Sequence, residues 1–165
     1  MENNHITITE TDRNYIKMAC EIASANIDRG GGPFGAVIVG RDGQVVATGA
    51  NTVTLDNDPT AHAEVNAIRR ACRLKANFKL EGCVIYSSCE PCPMCLSALY
   101  WAGVSRIYYA NTQADADAIN FGDEFIYKEI AKPHLKRLIP CIHIDDPHAI
   151  DHFKKWASKP DKVEY

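Results

Sequence analysis

The run Cys83-Val84-Ile85-Tyr86-Ser87 leads into Ser88-Cys89-Glu90-Pro91-Cys92-Pro93-Met94-Cys95, and this junction decides the fold. The first five residues are mostly apolar and of strand length. Pro93 suits the first position of a helix, Leu96, Leu99 and Tyr100 recur at helical spacing, and Gly103 fits just past its end. Arg106-Ile107-Tyr108-Tyr109-Ala110 then reads as a second strand. A strand–helix–strand unit makes the two strands parallel, with a right-handed crossover. Cys92 and Cys95 therefore stand at a helix N-terminus, whose positive end favours thiolate over thiol.

Working outward, Ile16, Ala19, Cys20, Ala23 and Ile27 predict a first helix after a cap at Thr11-Asp12, ended by Gly30-Gly31-Gly32-Pro33. Ala36-Val37-Ile38-Val39 and Val45-Val46-Ala47 flank Arg41-Asp42-Gly43, which has the chemistry of a hairpin turn. After the loop Asp56-Asn57-Asp58-Pro59, Thr60 can cap a helix carrying Val65, Ile68 and Ala71 on one face. His62 and Glu64 then lie in its first turn. Further on, 115–131 reads as loosely helical, 138–144 as a final strand and 147–157 as a final helix. The motifs fall where an α/β sheet places its ligands, at strand C-terminal ends facing helix N-termini.

One imidazole and two thiols, from His62, Cys92 and Cys95, can hold a zinc ion on three sides and leave the fourth open, as catalytic zinc sites do. Zinc lowers the pKa of a water in that position from ~16 to about 7. Glu64, two residues past the histidine, can shuttle protons without competing for the metal. Each piece also has a plainer meaning. His-x-Glu suits a helix start with a favourable acid, Cys-x-x-Cys suits a redox pair, and Cys89-x-x-Cys92-x-x-Cys95 suits iron–sulfur ligation. The combination favours catalytic zinc, and Cys89 is left out because a fourth protein ligand would close the site.

At 165 residues, 46% of them apolar, the chain fits a single domain over 1–165. The net charge of −3 has the wrong sign for nucleic-acid binding by phosphate neutralisation alone. The basic run Arg69, Arg70, Arg73, Lys75 and Lys79 reads as the solvated face and C-terminal end of a helix. The N-terminus lacks the basic and apolar stretches of a signal peptide, and no apolar run approaches the ~18 residues of a membrane span, so a cytoplasmic protein is expected. Seven cysteines is an odd number for a disulfide framework. Cys20, Cys72, Cys83 and Cys141 sit in apolar patterns and read as small buried residues.

With these residues in view, the chain resembles the cytidine-deaminase-like superfamily, and within it the bacterial guanine deaminase type. The resemblance runs through 31–37, Asn51, 58–64, 88–95, Tyr100-Trp101-Ala102, 125–130 and the terminal Glu164-Tyr165. It implies a three-layer α/β fold with a central mixed five-stranded sheet flanked by helices. It also implies one Zn2+ per chain and a homodimer in which the C-terminal segment, 146–165, crosses to the partner. The substrate would be a free purine base, guanine, losing its 2-amino group hydrolytically to give xanthine and ammonia. Glu64 would carry protons with Asp123 assisting, Asn51 would hydrogen-bond the purine, Phe34 would stack on it, and Tyr165 would close the pocket. Read without the resemblance, Asn51 turns the chain, Phe34 is core, Asp123 caps a helix and Tyr165 frays. The rival readings are a tRNA adenosine deaminase, a guanosine or cytosine deaminase with the same zinc core, and a structural zinc or redox module.

Overall fold

The computed structural model describes residues 7–164, which form two compact units whose boundary in sequence lies between Asp123 and Glu124. The first carries α1 (Glu10–Ile27), β1 (Gly35–Val39), β2 (Val45–Ala50), α2 (Val53–Asp56), α3 (Ala63–Lys75), β3 (Val84–Cys89), α4 (Pro93–Ala102), β4 (Arg106–Asn111) and α5 (Gln113–Asp117). The sheet has four strands in the order β2-β1-β3-β4. The hairpin pairs β1 with β2 antiparallel, β1 and β3 are antiparallel, and β3 and β4 are parallel, as the strand–helix–strand reading requires. Gly43, at φ 75°, supplies the left-handed residue of the hairpin turn.

Alternation along β1 explains the layering. Val37 and Val39 face Ala19 of α1 together with Tyr86, whereas Ala36 and Ile38 face Ala63 and Ala67 of α3 and Leu99 of α4. A strand buried on both faces has helices on both sides, so the first unit is helix, sheet, helix. The approach of α3 is unusually close. A Cβ on Gly49 would stand 2.0 Å from the Ala63 carbonyl oxygen, so only glycine there lets the start of α3 rest on β2. That contact sets the position of His62 and Glu64.

Two caps differ from expectation. The N-cap of α1 is Thr9, not Thr11; its hydroxyl accepts from Asp12 N–H at 3.1 Å and Asp12 Oδ2 accepts from Thr9 N–H at 2.8 Å, a capping box. Thr60 does not cap α3: its N–H and hydroxyl donate to Asp58 Oδ1, at 2.8 and 2.7 Å, and its hydroxyl oxygen accepts from the Arg69 guanidinium at 3.1 Å. The N-cap is His62, which makes no capping bond, so its imidazole is free for other work.

The second unit holds α6 (Glu124–Ile130), a 3-10 turn (His134–Lys136) and α7 (Asp151–Ala157). The fifth strand expected over 138–144 is absent from the described residues: the sheet has four. Pro140 removes a ladder donor, and this stretch is held by side chains instead. Glu129 Oε2 accepts from Leu138 N–H at 2.5 Å, and the Arg137 guanidinium donates to the carbonyls of Ile130 and Lys132 at 3.0 and 3.2 Å. Leu138, Ile139, Ile142 and Ile144 are 74–81% exposed within the single chain. Cys141, expected buried, is exposed, while Cys83 is buried and Cys20 and Cys72 are half-buried. No described helix is long and apolar enough to cross a membrane.

Candidate active site

The parallel strand and the two helix starts converge on one place. Cys92 is the N-cap of α4 and Cys95 its third residue, His62 is the N-cap of α3, and Glu64 is the second residue of that helix, in its first turn. His62 Nδ1 lies 3.6 Å from Cys92 Sγ and 3.5 Å from Cys95 Sγ, with all three ligand atoms within 4.8 Å of one another. A tetrahedral zinc with Zn–N of about 2.0 Å and Zn–S of about 2.3 Å sets nitrogen and sulfur about 3.6 Å apart. The donor set and its spacing therefore fit zinc. Cys89 stands outside the triad, its thiol directed to Thr112 O at 3.6 Å, so the iron–sulfur reading of the three cysteines fails.

The electrostatics agree with a metal-binding triad. The Cys92 thiol is drawn down to about 4, first by its hydrogen bond with Cys95 and then by His62, against the opposing effect of burial. Cys95, as the donor to that sulfur, is pushed up. His62 is raised by its hydrogen bond to Cys92. A dication bound here would take the place of these shared protons, because thiolate and neutral imidazole are the ligating forms. Cys89, by contrast, is pushed up to about 11 by burial.

Glu64 is 5% exposed, and burial raises its carboxyl pKa. Its Oε1 accepts from the Ser87 hydroxyl at 2.8 Å, and its Oε2 faces Cys95 Sγ at 3.4 Å. The carboxyl thus borders the metal site without belonging to the ligand triad.

These groups open onto a cavity of about 530 Å³ whose wall includes Phe34, Asn51, His62, Glu64, Cys92 and Asp123. Five of the expected site residues outside the thiols are therefore brought together; Tyr165 lies outside the described residues. Asn51 is buried, its backbone N–H donating to Phe34 O at 3.1 Å and its Oδ1 accepting from Val53 N–H at 3.3 Å. Phe34 meets Phe121 edge-on, centroids 5.1 Å apart, so two aromatic rings form that part of the wall.

Sequence reasoning did not find four contributors: Ser87, Gln113, Phe121 and Asn26. Ser87 sits next to the cysteine motif, but only the folded chain shows its hydroxyl meeting Glu64. Asn26, buried at the end of α1, donates through Nδ2 to the carbonyls of Gly32 and Asn51 at 2.8 and 2.7 Å. A Cβ on Gly31 would stand 2.3 Å from that nitrogen, so the glycine run is fitted around Asn26 rather than merely ending a helix.

Comparison with known proteins agrees with this geometry. The profile of the cytidine and deoxycytidylate deaminase zinc-binding region matches residues 9–111. The chain is 47% identical over 162 residues to the guanine deaminase of Bacillus subtilis (strain 168), covering 98% of this chain and 99% of that one. A crystal structure of guanine deaminase from Bacillus subtilis matches with a TM-score of 0.91 at 45% identity, covering 96% and 99% of the two chains. The tRNA-specific adenosine deaminase of Aquifex aeolicus (strain VF5) is 38% identical over 146 residues, 88% of this chain and 83% of that protein. A histidine and two helix-start thiols at zinc spacing, a buried carboxyl beside them and a matched profile across most of the first unit have one common meaning: the chain belongs to the cytidine and deoxycytidylate deaminase zinc-binding family.

Proposed function

We infer that the protein is a zinc-dependent guanine deaminase, hydrolysing the 2-amino group of guanine to give xanthine and ammonia. The observation that carries this is the meeting of His62, Cys92 and Cys95 with the buried Glu64 on one cavity, in a chain 47% identical to a guanine deaminase over 98% of its length. Held by His62, Cys92 and Cys95, zinc would lower the pKa of a water towards neutrality and so supply the nucleophile. Glu64, its proton affinity raised by burial, takes a proton from the attacking water to the ring nitrogen beside C2, then carries the second proton, from the newly added hydroxyl, to the departing amine. Ser87 holds one of its oxygens, so the other serves the transfer. Asp123 engages the amino or ring N–H edge of the base. Asn51 supplies a further polar contact, and Phe34 a stacking face.

The nearest rival is adenosine in tRNA. Against it, the guanine deaminase similarity extends over more of the chain than the similarity to the tRNA enzyme, 98% against 88%. Two of the four cations of α3 are also tied locally: Arg69 faces Asp58 at 3.7 Å and Arg70 donates to Thr48 O at 3.2 Å. The test is ammonia release from guanine, guanosine, adenine, cytosine and an anticodon stem-loop. Guanine is expected to give the highest kcat/KM, and a clear preference for the stem-loop rejects the assignment.

The assembly proposed is a cytoplasmic homodimer whose segment 146–165 crosses to the partner, where Tyr165 closes the pocket. The apolar side chains that the second unit leaves exposed, Ile142, Ile144, Phe153 and Trp156 among them, support burial against another chain. Light scattering should give twice the 18.3 kDa chain mass, and deletion of 159–165 should lower guanine turnover without loss of zinc. A single-chain mass, or a fully active deletion, contradicts the crossing.

A further inference from the structure

Asp123 enters the cavity from a segment without regular structure between α5 and α6. A carboxylate on such a segment must be fixed by its neighbours if its placement is to matter. Two residues of α5 meet this segment. Gly122 packs against the Asp117 side chain, whose Oδ1 would lie 2.0 Å from a Cβ placed on it. Gln113, at the start of α5, donates from Nε2 to Asp123 Oδ1 at 2.6 Å and fixes the side chain. Gln113 is itself anchored to the metal-binding loop: its backbone N–H donates to Glu90 Oε2 at 3.1 Å, and Glu90 N–H donates to Asn111 O at 2.8 Å. Gln113, Glu90 and Asp123 all line the cavity.

We propose that Gln113 is the positioning residue of the active site for Asp123: its amide holds one carboxylate oxygen and thereby presents the other to the N–H edge of the bound purine. The proposal rests on the reading of Asp123 as a group that meets the substrate. The chemistry of the side chain suits the task. The amide nitrogen has only hydrogens to offer, so it engages one oxygen and leaves the second with its full accepting capacity. A glutamate at 113 sets two carboxylates against each other, which either turns Asp123 away or forces the pair to share a proton. A methionine fills similar volume and donates nothing.

The test is a double-mutant cycle on the zinc-loaded protein, with Gln113→Met, Asp123→Asn and both, reading kcat and KM for guanine per bound zinc. Gln113→Met should lower kcat about tenfold to a hundredfold, the size expected when a charge-assisted hydrogen bond is lost. KM should move less than about threefold, because a loosely held carboxylate still meets the base but not in the geometry that proton transfer needs. In the Asp123→Asn background the same change should cost less than about twofold, since a residue that acts only through Asp123 has nothing left to act on. Equal losses in both backgrounds overturn the role of Gln113 while leaving Asp123 in place. Parent-like turnover in Asp123→Asn overturns the reading of Asp123, and the proposal with it. Should Gln113→Met fail to fold, Gln113→Leu serves as a second variant without a donor, and parent-like kcat in it rejects the proposal.

Discussion

Glu64→Gln should retain the fold and the zinc yet lose guanine deamination by about 10² to 10⁴ in kcat, the range of a general acid–base residue. The change is nearly isosteric. Its amide can still accept from the Ser87 hydroxyl, which stands 2.8 Å from Oε1 in the parent, so the packing against α3 has little reason to move. What it cannot do is accept a proton from water and give it back. Burial makes the difference large, because the parent carboxyl, 5% exposed, has its proton affinity raised towards the range where both transfers are efficient. Metal analysis and circular dichroism should match the parent. Turnover within about tenfold of the parent removes Glu64 from the proton path.

Cys92→Ala should lose the metal and with it the activity. Cys92 is both the thiol drawn down to about 4 and the N-cap of α4, its sulfur accepting from Cys95 N–H at 3.5 Å. Residues that only support a ligand are worth about 10–100-fold in metal affinity, so removing a ligand should cost more than about 10²-fold. Cys89→Ala should keep its zinc, because the Cys89 thiol points to Thr112 O and not to the triad. Zinc content of the two variants, measured after dialysis against a weak chelator, separates them. Loss of zinc from the Cys89 variant instead makes Cys89 a fourth ligand and closes the site to substrate.

The metal site was readable in the sequence because coordination chemistry imposes spacing. Two thiols at a helix start, separated by a turn, and a histidine with a carboxylate two residues on can be recognised without knowing what lies between them. The strands and helices of the first unit were readable for a similar reason: apolar periodicity and the Pro93 and Gly103 signals are local. The groups that hydrogen-bond the carboxyls of Glu64 and Asp123 were not. Ser87 meets Glu64, Gln113 meets Asp123 and Phe121 meets Phe34 only after the sheet and helices have stacked, and nothing near those residues in the chain announces it. The misplaced caps have a nearer cause, since Thr9 and Thr11 both suit an N-cap and the Asp12 partner at the right offset decides between them. The missing fifth strand shows how far strand formation depends on a neighbour: the apolar residues of 138–144 have the right composition, but Pro140 and the bonds from Glu129 and Arg137 hold the chain otherwise.

The most direct test of a one-zinc guanine deaminase is a titration of zinc into the metal-free protein, with xanthine formation followed at each addition. Activity should rise linearly, reach its plateau at one zinc per chain and vanish again on chelation. Xanthine formation without zinc, or a plateau at any other stoichiometry, contradicts the assignment of His62, Cys92 and Cys95 as the site on which the chemistry depends.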